Sequence, residues 1–176
     1  DKTDVLGVGL GVPGPVNKNG VVNGCVNLGW NAFNVEKEFN EISENLYIVT
    51  DDGSYKEKAF TTDKLKQLLA DGNNYDEIIA VGPPVMMKLV CGIAQEAGIK
   101  SVASLTAYMI DGTGMCGGCR VIIGGESRFV CVDGPEFDGS QVDWDDLIMR
   151  NGFYREEEAE ERSHICRLTG GVRYND

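Results

Sequence analysis

The chain has 176 residues, 42% of them hydrophobic, with a formal net charge of −12. That length suffices for one ordinary domain or two small ones with buried cores. The acidic balance weighs against nucleic acid and against anionic membrane surfaces as partners, and no apolar run approaches the ~20 residues that span a bilayer.

No secretory signal is visible, and clustered thiols without one read as a reducing, cytoplasmic protein that uses cysteine for metal rather than for disulfides. The sequence opens at Asp1 without methionine, which reads as a fragment or a processed product. Residues 1–45 are glycine-rich and turn-rich. Val5-Leu6-Gly7-Val8-Gly9-Leu10 has the texture of a buried strand, and Val21-Val22 is the expected return strand of a hairpin. Gly9, Gly11 and Gly14 formally match a dinucleotide fingerprint, but Pro15, Asn17 and Gly20 follow where a helix N-terminus would have to hold the pyrophosphate.

From residue 46 the pattern changes to alternating strands and helices. Leu46–Thr50 reads as a strand ending in the turn Asp51-Asp52-Gly53-Ser54. Thr61-Thr62-Asp63 offers N-caps for a helix carrying Leu65, Leu68 and Leu69 that stops near Gly72. Ile78–Val81 is a second strand, followed by Gly82-Pro83-Pro84 and a helix with Met86, Leu89, Val90, Ile93 and Ala94 on one face, ending at Gly98. Met87 and Cys91 in that helix fit simple core packing. Ser101–Leu105 makes a third strand. This order predicts a parallel α/β sheet whose ligands sit beyond the strand carboxyl ends, where Asp52, Gly53, Ser54, Gly82, Pro83 and Met86 all fall.

The stretch richest in chemistry follows. Asp111, Cys116, Cys119 and Cys131 are spaced D-x4-C-x2-C-x11-C. Plant-type [2Fe–2S] ligands run C-x4-C-x2-C before a distant fourth cysteine, so this chain carries the same spacing with aspartate in the first position. A carboxylate brings the same single negative charge as a thiolate with a harder oxygen donor. Gly112, Gly114, Gly117 and Gly118 allow a tight loop whose N–H groups can face sulfur. A closed zinc site of three cysteines and one aspartate satisfies the same donor count, though the glycine-rich loop in D-x4-C order weighs against it. Free structural cysteines in a turn are the third reading. Val121–Ile123 and Arg128–Val130 should pair as a hairpin over Gly124-Gly125 and deliver Cys131 to the site. Trp144, Leu147 and Ile148 suggest a short amphipathic helix, and the acidic run in Tyr154–Arg162 a solvated one. His164 and Cys166 are a weak metal pair, better read as C-terminal packing.

Two resemblances stand beside these readings. Gly11-Val12-Pro13-Gly14-Pro15-Val16, Gly20-Val21-Val22 and Asn27-Leu28-Gly29-Trp30 resemble part of the N-terminal lobe of ROK-type sugar kinases. The kinase family's phosphate loop, catalytic aspartate and zinc motif have no counterpart here, so no kinase activity is expected of the segment. Residues 46–168 more closely resemble the small subunit of NADH-dependent ferredoxin:NADP oxidoreductase, a relative of the dihydroorotate dehydrogenase electron-transfer subunit. The motifs are Ile48–Ser54, Ala80–Met87, the Asp111–Cys119 loop and Cys131-Val132-Asp133-Gly134-Pro135-Glu136-Phe137.

That resemblance implies a [2Fe–2S] cluster on Asp111, Cys116, Cys119 and Cys131, and NAD(H) near Gly82–Met86, where the family's usual cysteine is Val81. It implies a ferredoxin-reductase-like NAD-binding domain with a parallel sheet and a small C-terminal iron–sulfur subdomain. The family's FAD-binding barrel is absent from this sequence, so a flavin-carrying domain or larger oxidoreductase subunit is the expected partner, with ferredoxin a candidate acceptor. The expected organisation is a kinase-like fragment at 1–45, a partial NAD-binding domain at 46–108, a cluster subdomain at 109–168 and a tail at 169–176, joined near Phe39–Glu44 as a chimera. The expected function is an electron-transfer module of a NAD(P)H-dependent oxidoreductase. The alternative is a non-catalytic chimeric scaffold.

Overall fold

The computed structural model describes residues 21–25, 30–34, 37, 46–53 and 55–163. Ser54, the Val5–Leu10 segment, Gly9, Gly11, Gly14, His164 and Cys166 lie outside these residues, as does most of the kinase-like stretch. Within it, β1 (Val21–Cys25) pairs antiparallel with β2 (Trp30–Asn34). Among the described residues, the expected return strand Val21–Val22 pairs with the downstream β2, while the strand expected before it lies outside them.

The central sheet has the order β5-β6-β9, made of Glu77–Val81, Lys100–Ser104 and Glu136–Asp138. β5 and β6 run parallel with Ile79 opposite Val102, and β9 lies antiparallel to β6 with Phe137 opposite Ala103. The expected all-parallel three-stranded sheet is thus corrected to a mixed one. β3 (Val49–Thr50) stands apart and pairs in parallel with β4 (Glu57–Lys58). The reason is local. The Thr50 hydroxyl donates to the Tyr55 carbonyl at 2.9 Å, and the Ala59 N–H donates to the Thr50 carbonyl at 3.1 Å, closing a short loop on itself.

Two helices flank this arrangement. α1 (Thr61–Ala70) is capped by the extended Phe60 with no side-chain cap bond, so the threonines do not serve as the expected N-caps. It ends at Gly72, where φ is +88° and the Asn73 N–H donates back to the Leu68 carbonyl. α2 (Pro84–Glu96) starts with proline in its first turn, where the missing N–H costs nothing. It closes the same way: Gly98 has φ +70°, and the Ile99 N–H reaches the Ala94 carbonyl at 2.9 Å.

The buried face of α2 is Met87, Val90, Cys91, Ile93 and Ala94. Met87 is wholly buried while Leu89 is 53% exposed, so the helix sits about one position round from the expected phase. Of these, Met87, Val90 and Cys91 meet Ala80 and Ala103 from the sheet in one core, which continues through Cys119, Val121, Val130 and Leu147. The last four belong to or adjoin the hairpin β7 (Arg120–Ile123) and β8 (Glu126–Phe129), the single turn α3 (Val130–Asp133) and α4 (Trp144–Arg150). Asp143 caps α4 by accepting the Asp146 N–H at 3.0 Å. α5 (Arg155–Ser163) carries the acidic run. The cysteine loop is therefore anchored on the same core as the sheet.

Candidate metal centre

The β7–β8 turn uses Gly124 and Gly125, both with positive φ (58° and 82°), as a two-residue hairpin of this twist requires. Arg120 pairs with Phe129 at the open end of the hairpin, so the residues just outside it, Cys119 and Val130, are brought side by side. The Val130 N–H donates to the Cys119 carbonyl at 3.1 Å. β8 then turns directly into α3, held by the Asp133 carboxylate accepting the Phe129 N–H at 2.7 Å. Cys131 lies on that turn, and its Sγ is 3.2 Å from Cys119 Sγ. Asp133, which the sequence offered only as part of the Cys131–Phe137 motif and with no role of its own, fixes the turn that presents Cys131.

The Asp111–Cys119 loop closes over this pair. Asp111 accepts the Thr113 N–H at 2.8 Å on one carboxylate oxygen and the Cys116 N–H at 3.0 Å on the other. These bonds, the one from Thr113 foremost, hold its carboxyl below the usual carboxylate range, so it is an anion at neutral pH. Cys116 Sγ accepts the Gly118 N–H at 3.4 Å. The Gly114 backbone reaches Cys131, whose thiol is pushed up above all by its bond with Cys119 and then by burial. A Cβ on Gly114 would come within 3.1 Å of Val132, so the loop rests against α3. Cys119 is buried, Cys131 half-buried and Cys116 exposed, and all three are free thiols. Cys91, the small buried residue expected in α2, lies elsewhere in the core, and burial raises its thiol.

The four predicted donors are therefore tied into one loop-and-hairpin unit, two by direct sulfur contact and two through backbone N–H groups. Among the described residues, no group of three or more His, Cys, Asp or Glu side chains is gathered tightly enough to hold a single metal ion. The donor chemistry nonetheless fits an iron–sulfur cluster: three thiols and one ionised carboxylate, with the Gly118 and Gly114 backbone groups directed at sulfur. Met115 in the loop and Ile110 and Val132 beside it are exposed.

The nucleotide-site candidates are less unified. Gly82, Pro83 and Met86 share the β5–α2 turn. Gly82 has φ +148°, and a Cβ there would run into the Met86 methyl group. Asp52 and Gly53 are exposed at the end of β3, outside the central sheet. Beside the cysteine loop, a cleft is lined by Tyr108, Ile110, Arg120, Arg150 and Tyr154, among others, with Gly118 from the loop itself. Tyr108 donates to the Asn151 carbonyl and sits near the Glu158 carboxylate at 2.9 Å. The sequence carried no periodic or motif signal for this cleft, because its walls come from three separate segments.

Comparison with known proteins gives this geometry a class. Residues 106–143, which contain the loop, the hairpin and α3, match the family model described as the iron-sulfur cluster binding domain of dihydroorotate dehydrogenase B. Particular relatives follow. The chain is 50% identical over 121 residues to a dihydroorotate dehydrogenase B (NAD(+)) electron transfer subunit homolog of Thermotoga maritima, a match covering 69% of this chain and 42% of that protein. It is 46% identical over 131 residues to a Clostridium beijerinckii protein described as lying in the adh 3′ region, covering 74% of this chain and 44% of the relative. A solved structure concerned with flavin-based electron bifurcation by NADH-dependent reduced ferredoxin-NADP oxidoreductase superposes with a TM-score of 0.63 at 46% identity, covering 70% of this chain and 44% of that one.

The chain thus resembles the dihydroorotate dehydrogenase B electron-transfer subunits and the ferredoxin-NADP oxidoreductase, and spans less than half the length of these relatives. Nothing in these matches supports the sugar-kinase resemblance of residues 1–45. Among the described residues, no helix is long and apolar enough to cross a membrane.

Proposed function

We propose that the chain is an electron-transfer module that holds a [2Fe–2S] cluster through Asp111, Cys116, Cys119 and Cys131. The observation that carries this reading is the Cys119–Cys131 thiol contact at 3.2 Å, closed over by a loop whose carboxylate is bonded to the Cys116 N–H. When bound, such a cluster supplies one-electron exchange. The chain's own residues do the rest. Cys119, Cys131, Cys116 and Asp111 would hold the cluster, the first two already in contact and the last two linked through the Cys116 N–H. The Gly114 and Gly118 N–H groups lower the cost of negative charge on sulfur, and Val130 and Val121 keep water from the inner side.

In this reading Gly82, Pro83 and Met86 at the β5–α2 turn are the nucleotide-facing residues, with Asp52, Gly53 and Ser54 the further candidates from the sequence, and NAD(H) is the nucleotide they would meet. The partner in this reading is a flavin-carrying domain or larger oxidoreductase subunit, with ferredoxin a candidate acceptor; the similarity to proteins named electron transfer subunits supports it. A reducing, cytoplasmic setting suits three free thiols in one site.

The test is anaerobic reconstitution of the full chain with ferrous iron and sulfide. A brown protein with iron and acid-labile sulfide in equal amounts, and an EPR signal after dithionite reduction, is expected. A colourless chain that takes up zinc alone, or no metal, overturns the reading in favour of a non-catalytic scaffold.

A further inference from the structure

We propose that in the metal-free chain Cys119 and Cys131 form a thiol–disulfide exchange site, whose substrate is a low-molecular-weight disulfide and whose product is a Cys119–Cys131 bridge. The two sulfurs already touch at 3.2 Å as free thiols. A disulfide bond is about 2.05 Å long, so roughly 1 Å of closure completes it. The backbone is set for that approach. Arg120 pairs with Phe129 at the end of the hairpin, and the Val130 N–H donates to the Cys119 carbonyl, so the chains carrying both cysteines are clamped together. Cys116 is placed differently. It is exposed, and its sulfur accepts the Gly118 N–H and lies against the Asp111 carboxylate.

Accessibility sets the order of events. Cys131 is half-buried and Cys119 is 2% exposed, so the small disulfide meets Cys131 first. The Cys131 thiolate attacks one sulfur of RS–SR, forming a mixed disulfide and releasing RS⁻. The Cys119 thiolate then attacks the Cys131 sulfur, forming the internal bridge and releasing the second RS⁻. The chain gives up two electrons and two thiol protons, and the small disulfide leaves as two thiols.

The bridge consumes two of the four proposed cluster donors, so it also blocks iron loading; that consequence alone rests on the electron-transfer reading. A cluster subunit with such a site would report whether its surroundings are reducing before it accepts iron.

The experiment uses the full, metal-free chain incubated with oxidised glutathione, with remaining thiols alkylated and the chain digested without reductant for mass spectrometry. A peptide linked through Cys119 and Cys131 is expected, with Cys116 alkylated or glutathionylated. Cys116→Ser should bridge as the parent does, while Cys119→Ser should stop at a glutathione adduct on Cys131. Circular dichroism checks that each variant is folded, and Cys131→Ser, which should leave Cys119 largely unmodified, serves if Cys119→Ser is not. A stable Cys131 adduct in the parent chain, or a link from either cysteine to Cys116, Cys25 or Cys166, overturns the proposal. Iron and sulfide are then offered to the bridged chain before and after dithiothreitol. Uptake only after reduction is expected, and uptake by the bridged chain overturns the block. If the bridge forms but the reduced chain also takes no iron, the exchange site stands and the cluster reading fails.

Discussion

Gly139 follows β9 at a place where the structure leaves no room for a side chain. A Cβ built there would collide with Cys91 Sγ, lie 2.8 Å from Ser101 Oγ and 3.1 Å from Cys91 Cβ. Both neighbours are fully enclosed, at 2% and 3% exposure, and Cys91 sits on α2, so neither can simply swing into solvent. Gly139 is itself fixed at both ends: its N–H donates to the Ser101 carbonyl at 3.0 Å, and its carbonyl accepts the Trp144 indole N–H at 3.2 Å. Overpacking of this kind costs about 1–3 kcal/mol, and we expect Gly139→Ala near the top of that range. Cys91→Ala alone removes one small buried group, costing on the order of 1 kcal/mol.

If the collision is the mechanism, the two changes are not additive. Removing Sγ opens the space the new methyl needs, and the double variant should recover about 1–2 kcal/mol relative to the sum of the singles. Urea unfolding of the four chains measures this, with an unchanged slope as the sign that only stability has moved. Additive losses in the double variant, or a neutral Gly139→Ala, would refute the argument.

Three further outcomes are expected. Asp111→Ala should lose less iron on reconstitution than Cys119→Ala, because water can replace an oxygen donor more readily than a thiolate; equal iron loss would count against the assigned donor set. Gly112→Ala and Gly114→Ala each place a side chain at positive φ (73° and 81°), a strain of about 1–2 kcal/mol, but only at Gly114 does the new Cβ also press on Val132. Hydrogen exchange across residues 130–133 should therefore quicken more in Gly114→Ala, and equal effects would show that the loop does not rest on α3. Asp138 is held below the usual carboxylate range, first by the Ser140 hydroxyl at 2.6 Å. Its folded pKa is depressed, so its contribution is complete above the unfolded value near 4 and is lost as pH falls through the lower, folded one. The stability gap between the parent and Ser140→Ala, read from urea midpoints, should narrow as pH drops below about 4; a gap independent of pH would assign the effect elsewhere.

The parts of the candidate site's local geometry written in contiguous residues were legible. The D-x4-C-x2-C spacing and the Gly124-Gly125 turn each encode a local geometry, and the hairpin that brings Cys131 to Cys119 follows from them. Helix phase was harder to read. Apolar residues occupy most positions from Val85 to Ala94, so periodicity alone could not choose Met87 over Leu89 for the core. β9 was invisible because Glu136 and Asp138 flank its one apolar residue; it is a strand by virtue of its pairing with β6. β3 misled for the opposite reason. Leu46–Thr50 has strong strand character, but the Thr50–Tyr55 bonds turn it toward β4, a preference held by one hydroxyl rather than by pattern.

The position of β5 in the order β5-β6-β9 has a practical consequence for handling the protein. Among the described residues this strand is bonded on one side only, and Ile79 and Val81 are 64% and 60% exposed. An open, apolar rim of that kind templates lateral stacking. Concentrated solutions of the isolated chain should therefore grow turbid, and Ile79→Lys should clear them without disturbing the cysteine loop.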